Sequence, residues 1–433
     1  MKDGDGGTKG AKSATFARPG VRRGSGVAAK RPRGSRQAQP APGILPAPAS
    51  GEARRTVELV RFELFDVGRS MDFSKLDCGD DVCLDPNPLR RRDAPPTLVL
   101  PPSIRMDMDA GGAAEAGAVT PAGIFLGAWS QAKLYDEGVV SIIVRLRLSA
   151  TLEELHHAED CLYPLGGVLR TISDFAEARF IQTQARIRSA VSLENYGLKR
   201  TERESYTAFC FGETGLTPHA FIASRSRELA TLLSGDAWGT PLHDDEVRRT
   251  LSNPFAYRSD EAAVFDLDRC AIVDPTADYE DLLVIVEHAN YQLLELRVLD
   301  LMLDGWIDVA EKDMRSFYTD TRKKRRRLRN LPGRFAAIQA LRLDALFTLE
   351  NLENSSKIIG DFYYSRIYDH LAGIFSTEGW KWSVERRLEA LQDVYEIVKG
   401  DLAEHRTLVL EIVFIAVCII FPVIQILQVF LIP

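Results

Sequence analysis

The stretch from Ile412 to Ile432 constrains this chain more than any other. Ten consecutive apolar residues, Ile412 to Phe421, are followed by Pro422 and a run interrupted only by Gln425 and Gln428. From Thr407 onward one side chain, Glu411, carries a formal charge. As a helix, these twenty-one residues would rise about 31 Å, close to the thickness of a bilayer's hydrocarbon core. The pattern predicts a membrane helix over 407–433. Arg406 precedes it and no Lys or Arg follows, so the positive-inside rule keeps the preceding residues on the side of synthesis. The expected localisation is a single-pass, tail-anchored membrane protein with its N-terminal bulk on the cytoplasmic or organelle-interior side.

At 433 residues the chain has room for two or three structural units. Its net charge of -7 is unevenly distributed: residues 1–50 carry ten Lys/Arg against Asp3 and Asp5, a balance of +8, which leaves the remainder at -15. Residues 1–55 are rich in Gly, Ala, Pro, Ser and Arg and lack hydrophobic periodicity. They are expected to be a disordered basic tail, because they bury too little surface to offset ordering entropy. No N-terminal apolar segment reads as a secretory signal. The six cysteines, Cys78, Cys83, Cys161, Cys210, Cys270 and Cys418, include no C-x-x-C pair, which predicts free thiols in a reducing compartment.

Residues 56–275 read as an α+β head. Val57 to Phe65 is a strand pattern of β-branched and aromatic residues. Residues 77–96 are acidic and Pro-rich, a loop; Leu98 to Leu100 is a short strand candidate; Ala110 to Gly117 is a small-residue linker. Gly123 to Trp129 and Leu134 to Leu148 are strands, the second broken by an Asp136-Glu137-Gly138 hairpin turn. Val139 to Leu148 ends in alternation, with one face buried and one wet. Helical periodicity covers 151–162 and 167–191. Tyr206 to Phe211 is a strand, followed by a helix over 219–234 with Thr217 as N-cap and Pro218 at its first position. Strands at Ala262 to Phe265 and Ala271 to Val273 complete a mixed sheet with helices on one face.

Residues 276–406 have a different character. Leu282, Val286, Ala289, Leu293, Leu296, Leu303, Ile307, Ala310, Met314 and Phe317 follow a four–three heptad seam. Asp278, Glu280 and Asp281 at the start and Lys323 to Arg327 near the end complement the helix dipole. This predicts one helix of about fifty residues, with Gly305 as a kink point and Asn330 to Gly333 as its stop. A second helix runs from about Arg334 with Ile338, Leu341, Ala345, Leu349 and Leu352 inward, continuing through Ile359, Tyr363 and Ile367 to Phe375. After a Ser376 to Gly379 turn, a third has Val384, Leu388, Leu391, Tyr395, Val398 and Leu402 and leads into the membrane span. Three long helices joined by short turns imply an antiparallel, coiled-coil-like stalk between head and anchor.

No stretch has the arrangement of a catalytic, cofactor or metal site. His156-His157 lie amid Glu153, Glu154, Glu159 and Asp160, but adjacent helical positions diverge by about 100° and do not converge on an ion. Glu287-His288 lies beside the seam, in a surface or packing position. Gly4 to Gly10 has phosphate-loop composition without the required spacing or a preceding strand. Two features suggest contacts. The cations Arg322, Lys323, Lys324, Arg325, Arg326 and Arg327 encircle a helix end and suit an acidic partner, lipid headgroups before RNA. Gln425 and Gln428 share one helix face and suit weak self-association in lipid.

Three stretches carry a resemblance. They are Phe65-Asp66-Val67-Gly68-Arg69-Ser70-Met71-Asp72-Phe73, Glu287-His288-Ala289-Asn290-Tyr291-Gln292-Leu293-Leu294-Glu295-Leu296-Arg297, and Gly360-Asp361-Phe362-Tyr363-Tyr364-Ser365-Arg366-Ile367. Together they resemble the required-for-meiotic-nuclear-division family. The resemblance implies an α+β head, a helical stalk, a C-terminal membrane anchor and a supporting role in a membrane-associated assembly, and it supplies no catalytic residues. The expected function is a non-enzymatic membrane scaffold without cofactors. Its expected partners are the lipid bilayer, other membrane or cytoplasmic proteins and a second copy in a weak homo-oligomer, with nucleic acid ranked last. The alternatives are an enzyme with a pocket in the head and a subunit of a magnesium-channel-like transporter. The latter needs a second span and a Gly-Met-Asn loop.

Overall fold

A computed structural model describes residues 53–76, 82–84, 103–108, 116–193, 196, 198, 200–319, 333, 336–343, 345–347, 349–350 and 362–431. The basic tail, the strand candidate at Leu98 to Leu100, most of the linker at 110–117 and the run Arg322 to Arg327 lie outside these residues.

The strands are β1 (Arg55–Asp66), β2 (Ser70–Met71), β3 (Val82–Leu84), β4 (Ser103–Met108), β5 (Val119–Thr120), β6 (Gly123–Tyr135), β7 (Val139–Ala150), β8 (Tyr163–Leu165), β9 (Val168–Arg170), β10 (Val191–Ser192), β11 (Arg203–Phe211), β12 (Ala262–Phe265) and β13 (Arg269–Val273). Nine of them form one sheet in the order β12-β13-β11-β1-β7-β6-β4-β3, with β5 paired to β6. Among the described strands only β11 and β13 run parallel, so the sheet is mixed and the class is α+β. The Asp136 to Gly138 turn joins β6 to β7 as the sequence predicts. Two sequence expectations are corrected here. Residues 82–84, inside the predicted loop, pair with β4. Helix over 151–162 shrinks to α1 (Leu152–Leu155), because β8 and β9 form a hairpin before α2 (Ile172–Ile187) begins. The predicted helix at 219–234 is divided at Arg225 into α3 (Pro218–Ser224) and α4 (Ser226–Ser234), and α5 (Asp244–Thr250) follows.

Strand alternation gives the sheet two apolar faces. Val57, Leu59 and Phe65 pack with Ile172, Phe175, Ile222, Leu229 and Leu233 beneath α1–α5. Val60, Phe62 and Leu64 pack on the opposite side with Leu282, Val286, Leu293 and Leu296. Those four belong to α6 (Glu280–Thr319), a single helix of 40 residues. Helices therefore cover both faces, and the expectation of one covered face is corrected. The helix predicted as a free-standing stalk is the second cover of the sheet. The same core includes Ile338, Leu341, Ala345 and Leu349, residues of α7 (Phe362–Ile374), and Val384, Leu388 and Leu391 of α8 (Thr377–Leu431). No boundary at 275/276 separates two cores. Helix α8 packs along α6: Arg387 of α8 pairs with Asp300 Oδ1 at 2.9 Å and Asp304 Oδ1 at 2.7 Å on α6, and Ser383 donates to Asp300 at 2.8 Å.

The final helix runs 55 residues without interruption, with Pro422 inside it, so the third stalk helix and the apolar stretch are one element, as expected. Among the described residues no helix is long and apolar enough to cross a membrane. In α8 the described side chains of the apolar stretch run unbroken only over 410–422. The side chains of Gln425 and Gln428 lie outside the description.

Candidate functional site

The face of the sheet beneath α6 is apolar around Val60, Phe62 and Leu64 and carries a polar row across β4, β6 and β7. Register pairs Arg105 of β4 with Lys133 of β6, and Lys133 with Ser141 of β7. Same-face cross-strand neighbours have Cβ atoms about 5 Å apart, so a guanidinium, an ammonium and a hydroxyl are aligned from the β4 side inward. Arg105 is half-buried, whereas Lys133 and Ser141 are buried.

Helix α6 closes this row from above. Lys133 Nζ donates to Glu287 Oε2 at 3.2 Å, with only 5% and 4% of the two side chains exposed. One turn later Tyr291 stacks on Tyr135, ring centroids 4.5 Å apart, and Lys133 Nζ lies 5.1 Å from the Tyr135 centroid. His288 lies between Tyr291 and Tyr368, its ring 5.9 Å and 6.0 Å from theirs. Tyr368 donates to Gln292 Oε1, and Gln292 Nε2 is 3.1 Å from His288 Nε2. The Gln292 amide N–H therefore donates to His288 Nε2, which assigns the ring proton to Nδ1. Burial, helped by Lys133, pushes His288 down to about 3, so the ring is neutral at physiological pH.

Four buried atoms of this cluster, Ser141 Oγ, Glu287 Oε1, His288 Nδ1 and Tyr291 Oη, have no hydrogen-bond partner among the described residues. Each such atom costs about 1–3 kcal/mol relative to a satisfied one. Packing alone gives no reason to concentrate them in one place. This makes the row the best candidate for a functional site.

A second polar centre lies further along α6. The Asp66 carboxyl accepts from Tyr196 Oη at 2.8 Å and from Gly68 N at 3.2 Å. Burial outweighs these bonds and, with nearby Glu202, raises Asp66 to about 7. Burial also raises Glu295 well above the usual carboxylate range, reinforced by Asp66, Glu137 and Asp136. A carboxyl whose folded pKa is raised holds its proton better folded than unfolded, so stability is highest below the unfolded value and falls as pH rises to the folded one. Stability should therefore decline between about pH 4 and pH 7. Asp66→Asn should reduce that slope, with the Glu295 contribution remaining; unfolding midpoints of both chains in mild detergent at pH 5 and pH 8 measure it.

The opposite face holds a structural network. Glu159 accepts from Arg61, Arg269 and Thr207, while Arg61 also bonds Glu63. Burial opposes ionisation of Glu159, but the two guanidiniums and these bonds hold it at about 2. His156 and His157 lie nearby with ring centroids 5.6 Å apart, and His156 is 5.9 Å from Trp238. Among the described residues no group of three or more His, Cys, Asp or Glu could hold a metal ion. The described cysteines are free thiols, with Cys161, Cys210 and Cys270 buried and Cys418 exposed.

Arg322 to Arg327 and the side chains of Gln425 and Gln428 lie outside the described residues. Glu287 and His288, for which the sequence predicts a surface or packing position, are buried at the centre of the polar row. The signal was the polar content of 287–297, where Glu, His, Asn, Gln, Glu and Arg flank the apolar stripe of Ala289, Leu293 and Leu296. Lys133 and Ser141 gave no signal, since each reads as a wet-face residue in an alternating strand.

A family model described as uncharacterized protein MJ0711, N-terminal domain, matches residues 57–280. That span runs from β1 to the first residue of α6 and contains Arg105, Lys133 and Ser141. The uncharacterized protein MJ0711 of Methanocaldococcus jannaschii is 26% identical over 217 residues, 50% of this chain and 64% of that protein. The match thus spans less than two thirds of the relative. No solved structure matches. With the sheet and its first flanking helices inside the matched span, the chain belongs to the family defined by the MJ0711 N-terminal domain.

Proposed function

We propose that this protein is a non-enzymatic, membrane-attached scaffold whose last helix anchors the body and also fixes its height and orientation. One observation carries the reading. In α8, Ile412, Val413, Phe414 and Ile415 are 65%, 53%, 69% and 56% exposed, and four successive positions at about 100° each encircle a helix. Val417, Ile419, Ile420 and Phe421 continue the exposed apolar collar. Apolar surface left in water costs about 25 cal/mol per Å², and a helix apolar on every side belongs in a membrane or a large core. Pro422 is tolerated inside membrane helices. Because the same helix carries Val384, Leu388 and Leu391 in the body's core, tilt of the anchor would be transmitted directly to the sheet. The resemblance to the required-for-meiotic-nuclear-division family supports the same reading. Within it, Arg322 to Arg327 would meet an acidic partner, and Gln425 with Gln428 would form the self-association face.

The full chain in cell membranes should resist alkaline carbonate extraction. An Ile415→Arg, Ile419→Arg variant should pass to the supernatant, since each Arg costs about 2.5–3.5 kcal/mol near the centre of a membrane helix. Release of the unsubstituted chain by carbonate would overturn the anchor. Purification of the full chain from detergent should bring a stoichiometric protein partner, and a partner-free chain would remove the scaffold.

A further inference from the structure

The row beneath α6 has a chemistry that the membrane reading does not use. We propose that Arg105, Lys133, Ser141 and Tyr291 bind a small oxyanion that carries its own proton, of which hydrogen phosphate is the simplest. Three strands bring two cations and a hydroxyl into one same-face row, and the helix above adds the Tyr291 hydroxyl and the His288 Nδ1–H. Cations and neutral donors gathered in one buried cluster suit an anion, whose charge-assisted bonds are about twice as strong as neutral ones. Burial increases from Arg105, half-exposed at the β4 side, to Ser141, which is fully buried. Arg105 is thus the entrance and Ser141 the floor.

Glu287 decides which oxyanion is accepted. Its Oε2 is occupied by Lys133, whereas its buried Oε1 has no donor among the described residues. An ionised carboxylate only accepts, so a ligand there must offer an O–H. Hydrogen phosphate and a singly protonated phosphate monoester offer one; sulfate at neutral pH does not, and its oxygens would face Oε1 as like charges. The site is therefore expected to separate two oxyanions of similar size by one proton, as a difference between satisfied and unsatisfied buried acceptors.

The test is calorimetric titration of the full chain in detergent at pH 7 with inorganic phosphate and with sulfate at matched ionic strength, followed by glycerol phosphate as a monoester. Saturable binding of phosphate with at least tenfold weaker sulfate binding is expected. A tighter response to glycerol phosphate than to phosphate identifies the monoester as the ligand; the reverse order identifies the free ion. Ser141→Ala and Tyr291→Phe each remove a hydroxyl that has no hydrogen-bond partner among the described residues, so they should leave unfolding midpoints equal or higher. Each should weaken phosphate about tenfold, the loss of one bond to a charged group. Glu287→Gln should admit sulfate. Absence of phosphate binding, equal binding of sulfate by the unsubstituted chain, or undiminished phosphate binding in both hydroxyl variants would each overturn the proposal.

Discussion

Replacing Lys133 by methionine is expected to destabilise the protein by about 3–5 kcal/mol, because it leaves the Glu287 carboxylate buried without its cation. The substitution nearly conserves volume, so the loss is electrostatic and not a packing defect. Lys133 and Glu287 meet across 154 residues of sequence at 3.2 Å, where the sheet faces α6. Removing both charges, as Lys133→Met with Glu287→Met, should recover most of the loss or exceed the starting stability, since an apolar pair carries no desolvation penalty. Urea unfolding in mild detergent, followed as a double-mutant cycle, measures the coupling. A single-variant cost below about 1 kcal/mol is the range of exposed pairs and would mean that the pair is solvated.

The second large effect concerns backbone geometry. Gly138 ends the β6–β7 turn at φ +88°, and a Cβ built on it would lie 2.1 Å from the Gly68 carbonyl oxygen. That oxygen belongs to the backbone and cannot rotate away. The two turns are further tied by Val67 N to Gly138 O at 2.9 Å and Met71 N to Asp136 O at 2.6 Å. Gly138→Ala should therefore cost about 3 kcal/mol or more, the sum of left-handed strain and overpacking. Gly117 is the control: its φ is +100°, and a Cβ there meets nothing within 4 Å. Gly117→Ala should cost only about 1–2 kcal/mol of conformational strain. Equal costs at the two glycines would show that the turns do not touch. Because the Gly138 turn joins the ends of β6 and β7, its loss should also loosen Tyr135 and weaken the Tyr135–Tyr291 stack.

Much of the fold was legible in local pattern. Val57 to Phe65 reads as a strand from its β-branched and aromatic content, and β1 spans Arg55–Asp66. The Asp-Glu-Gly turn, the Thr217-Pro218 helix start and the four–three spacing from Leu282 each found their element. These signals work because backbone conformation depends on neighbours within a few residues. Failures occurred where a different partner could satisfy the same pattern. The heptad spacing of α6 predicts a seam for other helices, whereas Leu282, Val286 and Leu293 are also the residues that cover Val60, Phe62 and Leu64. An apolar stripe specifies burial and does not specify what buries it.

The candidate site was hidden for a related reason. Arg105, Lys133 and Ser141 come from three strands, and their alignment depends on the registers of two strand pairs. A shift of one residue in either would move Lys133 to the other face. Its ion pair with Glu287 depends in addition on α6 lying along those strands. The sequence by itself determined the elements, the turn at Gly138 and the apolar character of 412–432, all set by short-range stereochemistry and local hydropathy. Only the tertiary structure decided that the long helix covers the sheet and that Glu287 and His288 are internal. Those outcomes come from burying both faces of the sheet at once, a condition distributed over residues more than a hundred positions apart.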